Sequence, residues 1–229
     1  TTETTTESTT ESTTESTTEA TAETAGPALW ESRDPDHYVI MGYNILTTTK
    51  LDITWVARAT KKDRGEMLKD MLMDYMPDSI GLCEVTETWM TWLQEHLPDF
   101  PLYSMAGTTS TSGLTLNASS GEYNPILYRN DKYTVVEEGG YWYSETPNEP
   151  SKYGAITSED GTVEYAGMYF ARVYSYVVLA DIHTGEVAYI HMNTHLDHQS
   201  DSRVDLICAQ QLKADADLLQ EKYNRPVLM

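Results

Sequence analysis

Three short apolar runs, each ending in polar side chains, constrain the fold more than any other feature of this sequence. The first run ends near Asn44, the second ends at Glu84, and the third is followed by Asn-Thr-His-Leu-Asp-His at residues 193–198. Short apolar runs between amphipathic segments predict buried strands, and strand ends in layered α/β proteins line clefts. Taken alone, residues 193–198 fit an ordinary polar loop better than a functional site.

Segments with helical periodicity separate these runs. Apolar residues recur on one face at residues 63–75, at 89–97 and along 201–223, which predicts three amphipathic helices. Further strands are predicted at 126–129 and 133–136, as a hairpin, and at 170–180, 187–192 and 226–229. Helices and strands in this order predict a protein built of α/β layers.

Residues 1–26 are almost entirely Thr, Glu, Ser and Ala, with a Glu at every fourth position from Glu3 to Glu23. Such a segment cannot bury apolar area, which predicts a disordered linker. A helix is the alternative, but like charges four residues apart repel each other and Thr is a poor helix former. The folded domain is therefore expected to span residues 36–229. The Thr/Ser-rich composition of the linker favours an extracellular or cell-surface protein.

The charge of the chain limits its partners. Its formal net charge is -21, from 36 acidic and 15 basic residues. This excess disfavours sequence-independent binding of duplex DNA through a broad basic face, but it is compatible with an acidic site that binds cations. The two cysteines, Cys83 and Cys208, are too few for a disulfide scaffold and are expected to be buried thiols. No run of the sequence has the length of a transmembrane segment.

Four motifs in chain order resemble those of the endonuclease/exonuclease/phosphatase superfamily, which includes pancreatic-type deoxyribonucleases, apurinic-site endonucleases, bacterial sphingomyelinases and inositol polyphosphate phosphatases. They are residues 43–45 (YNI), 77–85 (PDSIGLCEV), 121–129 (GEYNPILYR) with 144–147 (SETP), and 193–198 (NTHLDH) with Ser202 and Arg203. The resemblance implies a layered α/β sandwich, with two central, mostly antiparallel sheets flanked by helices, that is incomplete at its C-terminal end.

The resemblance also implies a metal-dependent phosphoesterase site. Glu84 matches the principal metal ligand, and Asn44 matches the residue beside the metal that orients Glu84 or a metal-bound water. Mg²⁺ is the expected cofactor, with Mn²⁺ or Ca²⁺ as alternatives, because a hard cation that keeps several waters needs only one or two carboxylates. From the residues alone, Glu84 has the alternative of a strand-end salt bridge and Asn44 that of an ordinary turn residue.

The same resemblance places His195 and Glu122 in the part of the site that contacts the phosphate. His195 would donate a hydrogen bond or a proton to the scissile phosphate, while Glu122 would hydrogen-bond the other ring nitrogen and fix its tautomer. We expect Arg172 to offer a guanidinium fork to phosphate oxygens, and Asn193 and His198 to lie on the substrate side. The alternatives are a solvated hairpin acid for Glu122 and a surface ion pair for Arg172.

Two departures from the family pattern bear on these expectations. Cys83 occupies the position before the metal-binding Glu that is usually Gln, which leaves the metal ligand in place. The later Gly-Asp-x-Asn and Ser-Asp-His motifs are absent up to Met229. The chain is therefore expected to be either a fragment of a longer protein or a chain that lacks the groups that align the nucleophilic water.

The sequence as a whole predicts a monomeric, divalent-metal-dependent phosphoesterase, with phosphodiesterase- or nuclease-like activity on a phosphate-ester substrate. A non-catalytic binding or adhesion module that reuses the fold, and an inactive fragment, stay open as alternatives. A metal-independent hydrolase has little support, because neither a Gly-x-Ser-x-Gly elbow nor a Cys/His signature is present. The acidic balance favours a small or lipid-linked phosphodiester over duplex DNA.

Overall fold

The computed structural model describes residues 37–99, 102–107, 121–200 and 202–229. Within those residues, the strands form two four-stranded sheets and a short two-stranded ribbon. Most neighbouring strands are antiparallel, and helices pack against both sheets. The predicted layered α/β sandwich is therefore confirmed. The predicted linker at residues 1–26 lies outside the described residues.

The first sheet contains β1 (Ile40–Asn44), β2 (Ser79–Cys83), β3 (Tyr103–Ala106) and β4 (Ile126–Arg129). Its strand order is β1-β2-β4-β3. β1 and β2 are parallel, whereas β4 is antiparallel to both of its neighbours. The carboxyl ends of β1 and β2, which carry Asn44 and Cys83, therefore lie at the same edge of the sheet.

The second sheet contains β5 (Tyr133–Trp142), β8 (Val173–Asp181), β9 (Val187–Thr194) and β10 (Val227–Leu228), while β6 (Ile156–Thr157) and β7 (Val163–Tyr165) form the ribbon. The strand order of the second sheet is β10-β9-β8-β5. β8 is buried along almost its whole length, because it lies between two strands and is covered on both faces.

Two expectations from the sequence are wrong. The predicted buried strand that ends near Asn44 is an edge strand, since β1 pairs only with β2 among the described strands, and residues 42–44 are exposed. The predicted hairpin between residues 126–129 and 133–136 does not form, because β5 pairs with β8. The turn at residues 130–132 instead carries the chain from the first sheet to the second.

Three helices cover the sheets in the described part of the chain: α1 (Arg64–Tyr75), α2 (Glu87–His96) and α3 (Ser202–Tyr223). α1 begins with a capping box, in which Asp63 accepts a hydrogen bond from the Glu66 amide and the Glu66 side chain accepts one from the Asp63 amide. It ends at Met76, whose backbone is left-handed and directly precedes Pro77. The helices predicted from periodicity are thus confirmed.

The side chains of β2 alternate between two layers, as the strand period requires. Ile80 and Leu82 are fully buried in a cluster with residues of α1 and α2, and each such burial stabilises the fold by about 1.5–3 kcal/mol. Ser79 and Gly81 point the other way, towards β9 in the second sheet. The first sheet is therefore covered by helices on one face and by the second sheet on the other.

β9 shows the same alternation from the opposite side. Ile190 and Met192 belong to a cluster with residues of α3. Tyr189 and His191 face the first sheet, where the Tyr189 hydroxyl donates to Ser79 Oγ at 3.0 Å and His191 Nδ1 lies 2.8 Å from the same oxygen. Burial lowers the pKa of His191 to about 4, so this contact between the sheets is uncharged at neutral pH.

No described helix combines the length and the hydrophobicity that crossing a lipid bilayer would require.

Gly81→Ala is predicted to lower the free energy of unfolding by about 1–3 kcal/mol, because a methyl group there would overlap the Asn193 side chain of β9. Urea unfolding measures the change. Gly42→Ala is the matched control, since Gly42 pairs with Gly81 in the register of β1 and β2 but has open space around it. An equal effect of the two substitutions would show that the sheets are not in close contact at Gly81.

Candidate active site

The ends of β2 and β9 meet across the gap between the two sheets. Cys83, the last residue of β2, donates through its thiol to the carbonyl of Thr194, the last residue of β9, at 3.4 Å. The residues that follow, Glu84 and His195, are therefore brought to the same edge of the sandwich. Two sequence-predicted site residues that are more than 100 positions apart in the chain are placed together by this contact.

Glu84 turns the chain away from β2 with a left-handed backbone, at a φ of 60°. This conformation costs a non-glycine residue about 1–3 kcal/mol and is concentrated at functional sites. The next residue, Val85, forms an isolated bridge with Tyr123, whose amide donates to the Val85 carbonyl at 2.8 Å. The bridge brings the segment that contains Glu122 to the end of β2, where Glu122 and Glu84 both act on the pKa of the Cys83 thiol, so a third predicted residue joins the site.

Asn44 and the loop after it hold the Glu84 carboxylate. Asn44 Nδ2 donates to Glu84 Oε1 at 2.9 Å, and the Thr47 amide donates to Oε2 at 3.0 Å. The Asn44 oxygen accepts from the Leu46 amide at 2.9 Å. Asn44 thus orients the Glu84 carboxylate, and its oxygen, which accepts a single hydrogen bond, keeps a lone pair that a metal could share.

The Glu84 carboxylate fits a hard divalent cation. Each of its oxygens accepts one hydrogen bond and keeps a further lone pair for a ligand. Among the described residues, no cluster of three or more His, Cys, Asp or Glu side chains surrounds a common point. A cation at Glu84 would therefore complete its shell with waters and substrate oxygens, which is how Mg²⁺ is commonly bound.

Glu122, Arg172 and His195 form the second half of the site. Arg172 Nη1 donates to Glu122 Oε2 at 2.5 Å and lies 3.3 Å from His195 Nδ1. Glu122 Oε2 is 3.7 Å from the same ring nitrogen, which is long for a hydrogen bond. Neutral His195 with its proton on Nε2 offers the Nδ1 lone pair to Arg172, and the opposite tautomer donates from Nδ1 to Glu122. When His195 is protonated, Nε2 carries a proton as well.

The ionisation of Glu122 is favoured by these neighbours. The His195 ring, together with the Arg172 guanidinium, lowers the pKa of Glu122 below its ordinary value of 4.5, although burial acts in the opposite direction. Glu122 is therefore no solvated hairpin acid.

Arg172 is 6% exposed, which excludes the alternative that it forms an ion pair at the protein surface. Its Nε has no hydrogen-bond partner in the described part of the chain. Its Nη1 is engaged by Glu122, so the structure places Arg172 as a buried neighbour of His195 rather than as an open fork.

The predicted substrate-side residues lie in different places. Asn193 is buried between the sheets, where its Nδ2 donates to the Leu82 carbonyl at 2.9 Å and to the Pro125 carbonyl at 3.4 Å. These contacts make Asn193 a link between the sheets, which argues against substrate binding. His198 is exposed and stacks on Phe170, with ring centroids 5.6 Å apart.

One organising residue, Asp197, escaped the sequence analysis. It is 3% exposed, and its Oδ2 accepts from the amides of Tyr169 and Phe170 at 2.6 and 2.8 Å, while Oδ1 accepts from the Gln199 amide at 3.0 Å. Asp197 thereby joins the loop after His195 to the segment before Arg172. Its position two residues after His195 was visible in the sequence, but its partners lie 27 and 28 positions away.

The thiol between the two halves of the site is not a nucleophile. Burial raises the pKa of Cys83 to about 11, with Glu122 and Glu84 acting in the same direction and Arg172 in the opposite one. A thiol with that pKa is protonated at neutral pH and unreactive. Both cysteines are free, and Cys208 is buried.

Sequence comparison and structure comparison give different results for this chain. No protein-family model matches the sequence, and no curated protein matches it. An endonuclease/exonuclease/phosphatase family protein from Bacteroides thetaiotaomicron matches the structure with a TM-score of 0.59 at 20% identity, over 83% of this chain and 61% of that protein. The chain has the endonuclease/exonuclease/phosphatase fold.

Two further solved structures share this fold. A mannosyl-6-phosphatase from Bacteroides thetaiotaomicron matches with a TM-score of 0.57 at 20% identity, over 83% of this chain and 63% of that one. The human Nocturnin catalytic domain, with a bound sulfate anion, matches with a TM-score of 0.54 at 14% identity, over 83% and 62%. The chain thus spans about three-fifths of the length of these proteins.

Glu122→Gln is predicted to lower the free energy of unfolding at pH 7 by about 1–3 kcal/mol, because the buried Arg172 loses its anionic partner. The pKa of Glu122 is lower in the folded state than in the unfolded state, so its ionisation stabilises the fold when the pH is above the ordinary pKa. This stabilisation is lost as the pH falls through the pKa of the folded state. Urea unfolding of both proteins should give a constant difference from roughly pH 5 to pH 8, and a smaller one in more acidic buffer.

The control is Glu95→Gln, which changes an exposed carboxylate on α2 and should give no such pH-dependent difference. A difference for Glu122→Gln that persists unchanged in acid would show that the ion pair with Arg172 does not stabilise the fold.

Proposed function

We propose that this chain carries the metal-binding and phosphate-contacting residues of a divalent-metal-dependent phosphoesterase with phosphodiesterase- or nuclease-like activity. The observation that supports this most is the meeting of two chemically different groups of side chains at one edge of the sandwich. Glu84 and Asn44 lie on one side of Cys83, and the cluster of Glu122, Arg172 and His195 lies on the other.

The structural neighbours favour the same reaction class. One is a mannosyl-6-phosphatase, and another with a TM-score of 0.52 at 14% identity, ANGEL2, is a 2′,3′-cyclic phosphatase. The neighbour with a bound sulfate shows that a protein of this fold accepts a tetrahedral anion. A phosphate ester presents the same tetrahedral group.

Each residue has a part in the proposed reaction that follows from its contacts. A divalent cation at Glu84 would neutralise charge on the phosphoryl oxygens. Asn44 and the Thr47 amide hold the Glu84 carboxylate in a fixed orientation. His195 offers Nε2–H as a donor to a phosphoryl or leaving-group oxygen, because its Nδ1 faces Arg172 and Glu122. Arg172, whose charge is compensated by Glu122, lies behind the ring and helps to fix its orientation.

The proposed substrate is small. The strongly acidic chain disfavours long polyanions in the absence of a local basic surface. The same proposal includes an extracellular or cell-surface location, which rests on the composition of residues 1–26. It also includes a monomeric state. Mg²⁺ is proposed as the natural ion because the Glu84 carboxylate offers oxygen atoms as ligands.

Glu84→Gln should weaken Mg²⁺ binding at least tenfold, because it removes the anionic ligand of the site. Isothermal titration calorimetry of the folded protein with MgCl₂ measures this, and circular dichroism checks the fold. Hydrolysis of DNA, RNA, sphingomyelin and phosphomonoesters by the full-length protein should be lost in parallel. Glu95→Gln is the matched control for charge. Unchanged Mg²⁺ affinity in Glu84→Gln would remove Glu84 from the metal site.

For His195→Ala we expect turnover to fall by a factor of about 10²–10⁴, the usual contribution of a positioned proton donor. Mg²⁺ affinity should stay close to that of the wild type, since no described contact joins His195 to Glu84. Steady-state kinetics on whichever substrate of the panel is hydrolysed gives the turnover number. His183→Ala, at an exposed turn position, serves as the control. A wild-type turnover number for His195→Ala would exclude it from the reaction.

A further inference from the structure

Three aromatic rings form a continuous surface beside Arg172, which we name the aromatic shelf: Tyr169, Phe170 and His198. Tyr169 and Phe170 meet edge to face with centroids 4.7 Å apart, and His198 stacks on Phe170 at 5.6 Å with an angle of 20° between the ring planes. The Arg172 guanidinium carbon lies 5.4 Å from the centroid of the Phe170 ring. The proposed reaction so far assigns no role to Tyr169 or Phe170.

The shelf is held rigidly. The buried Asp197 carboxylate accepts from the amides of Tyr169 and Phe170. On the other side, Lys152 Nζ donates to the carbonyls of Met168 and Tyr169 at 2.7 and 2.9 Å. A loop fixed at both its amides and its carbonyls loses little further conformational entropy when a ligand binds to it, which favours affinity.

The rings are also accessible. Tyr169 is 52% exposed and His198 is exposed, whereas Phe170 is half-buried between His198 and Arg172. Neither exposed ring belongs to a core cluster among the described residues. Fixed ring faces that contribute nothing to the core are suited to stacking with a flat ligand, because every nucleic-acid base has a π-face.

The shelf is continuous with the proposed reaction site. Arg172 contacts the Phe170 ring through its guanidinium and reaches Glu122 and His195 through Nη1. A phosphate held at His195 would therefore be separated from the shelf only by the Arg172 side chain. We propose that the aromatic shelf binds the purine or pyrimidine base of a nucleotide substrate. This assignment rests on the proposed phosphoesterase function and narrows its substrate class to nucleotides.

A base fits these rings better than other substituents do. The imidazole of His198 and the phenol of Tyr169 combine flat apolar faces with polar edges, which match the faces and edges of a base. A lipid chain would need a wider apolar patch than three rings supply. A single nucleotide also avoids the repulsion that the charge of -21 would exert on a long polyanion.

Equilibrium binding tests the shelf independently of turnover. Isothermal titration calorimetry with Mg²⁺ compares AMP, ribose 5-phosphate, mannose 6-phosphate and inorganic phosphate. We expect AMP to bind about tenfold or more tightly than ribose 5-phosphate, which has the same phosphate and ribose but no base. Tyr169→Ala and His198→Ala should each reduce this preference severalfold. Tyr75→Ala, which removes a tyrosine of α1 that is 45% exposed, should leave it unchanged.

Equal affinity for AMP and ribose 5-phosphate would overturn the assignment, and so would a preference for AMP that survives both Tyr169→Ala and His198→Ala. Tighter binding of mannose 6-phosphate than of AMP would also overturn it, because the shelf would then be a sugar subsite. Failure of the proposed function has a different signature. If Glu84→Gln changes neither Mg²⁺ binding nor hydrolysis while AMP keeps its advantage over ribose 5-phosphate, the shelf stands as a nucleotide site and the phosphoesterase assignment falls.

Discussion

The contact between Gly81 and Asn193 sets the distance between the two sheets, and the site depends on that distance. Gly81 has no side chain, so the Asn193 amide reaches past it and donates to the carbonyls of Leu82 and Pro125 in the facing sheet. The donation to Leu82 satisfies a buried carbonyl, whereas the Pro125 carbonyl also accepts from the Leu82 amide. The strands that end at Cys83 and Thr194 are thereby held side by side, and the polar residues that follow them come into reach of one another.

Neutral and charged polar groups are separated along this interface. Deep between the sheets, Ser79, Tyr189 and His191 bond to one another without formal charge. Charged side chains occur only where the strands end, and there the buried Arg172 is compensated by Glu122 at 2.5 Å. Burying a charge without a partner would cost several kcal/mol, roughly the whole margin of stability of a small domain. The position of the site at the edge of the sandwich follows from that cost.

The sequence predicts those parts of the structure that depend on local pattern. The helices, the layered fold and the strand-end positions of Glu84 and His195 follow from periodicity and from motif order. Local pattern does not predict the pairing of β5 with β8 or the contact of Arg172 with Glu122, because each depends on which distant strands become neighbours. The contacts of Asn193 likewise depend on its direction in β9, which turns its side chain towards the opposite sheet.

The charge balance of the site gives a physical reason for the proposed metal dependence. The Glu122 carboxylate is paired with the Arg172 guanidinium. The Glu84 carboxylate accepts only from neutral donors among its recorded hydrogen bonds, and the buried Arg64 guanidinium is its electrostatic neighbour. A phosphate ester is itself an anion, and the chain around the site is strongly acidic. Both guanidiniums are already engaged, Arg172 by Glu122 and Arg64 by backbone carbonyls of the loop after β1, so neither is open to the phosphate. A divalent cation at Glu84 would supply the positive charge beside the phosphate that these engaged guanidiniums do not offer.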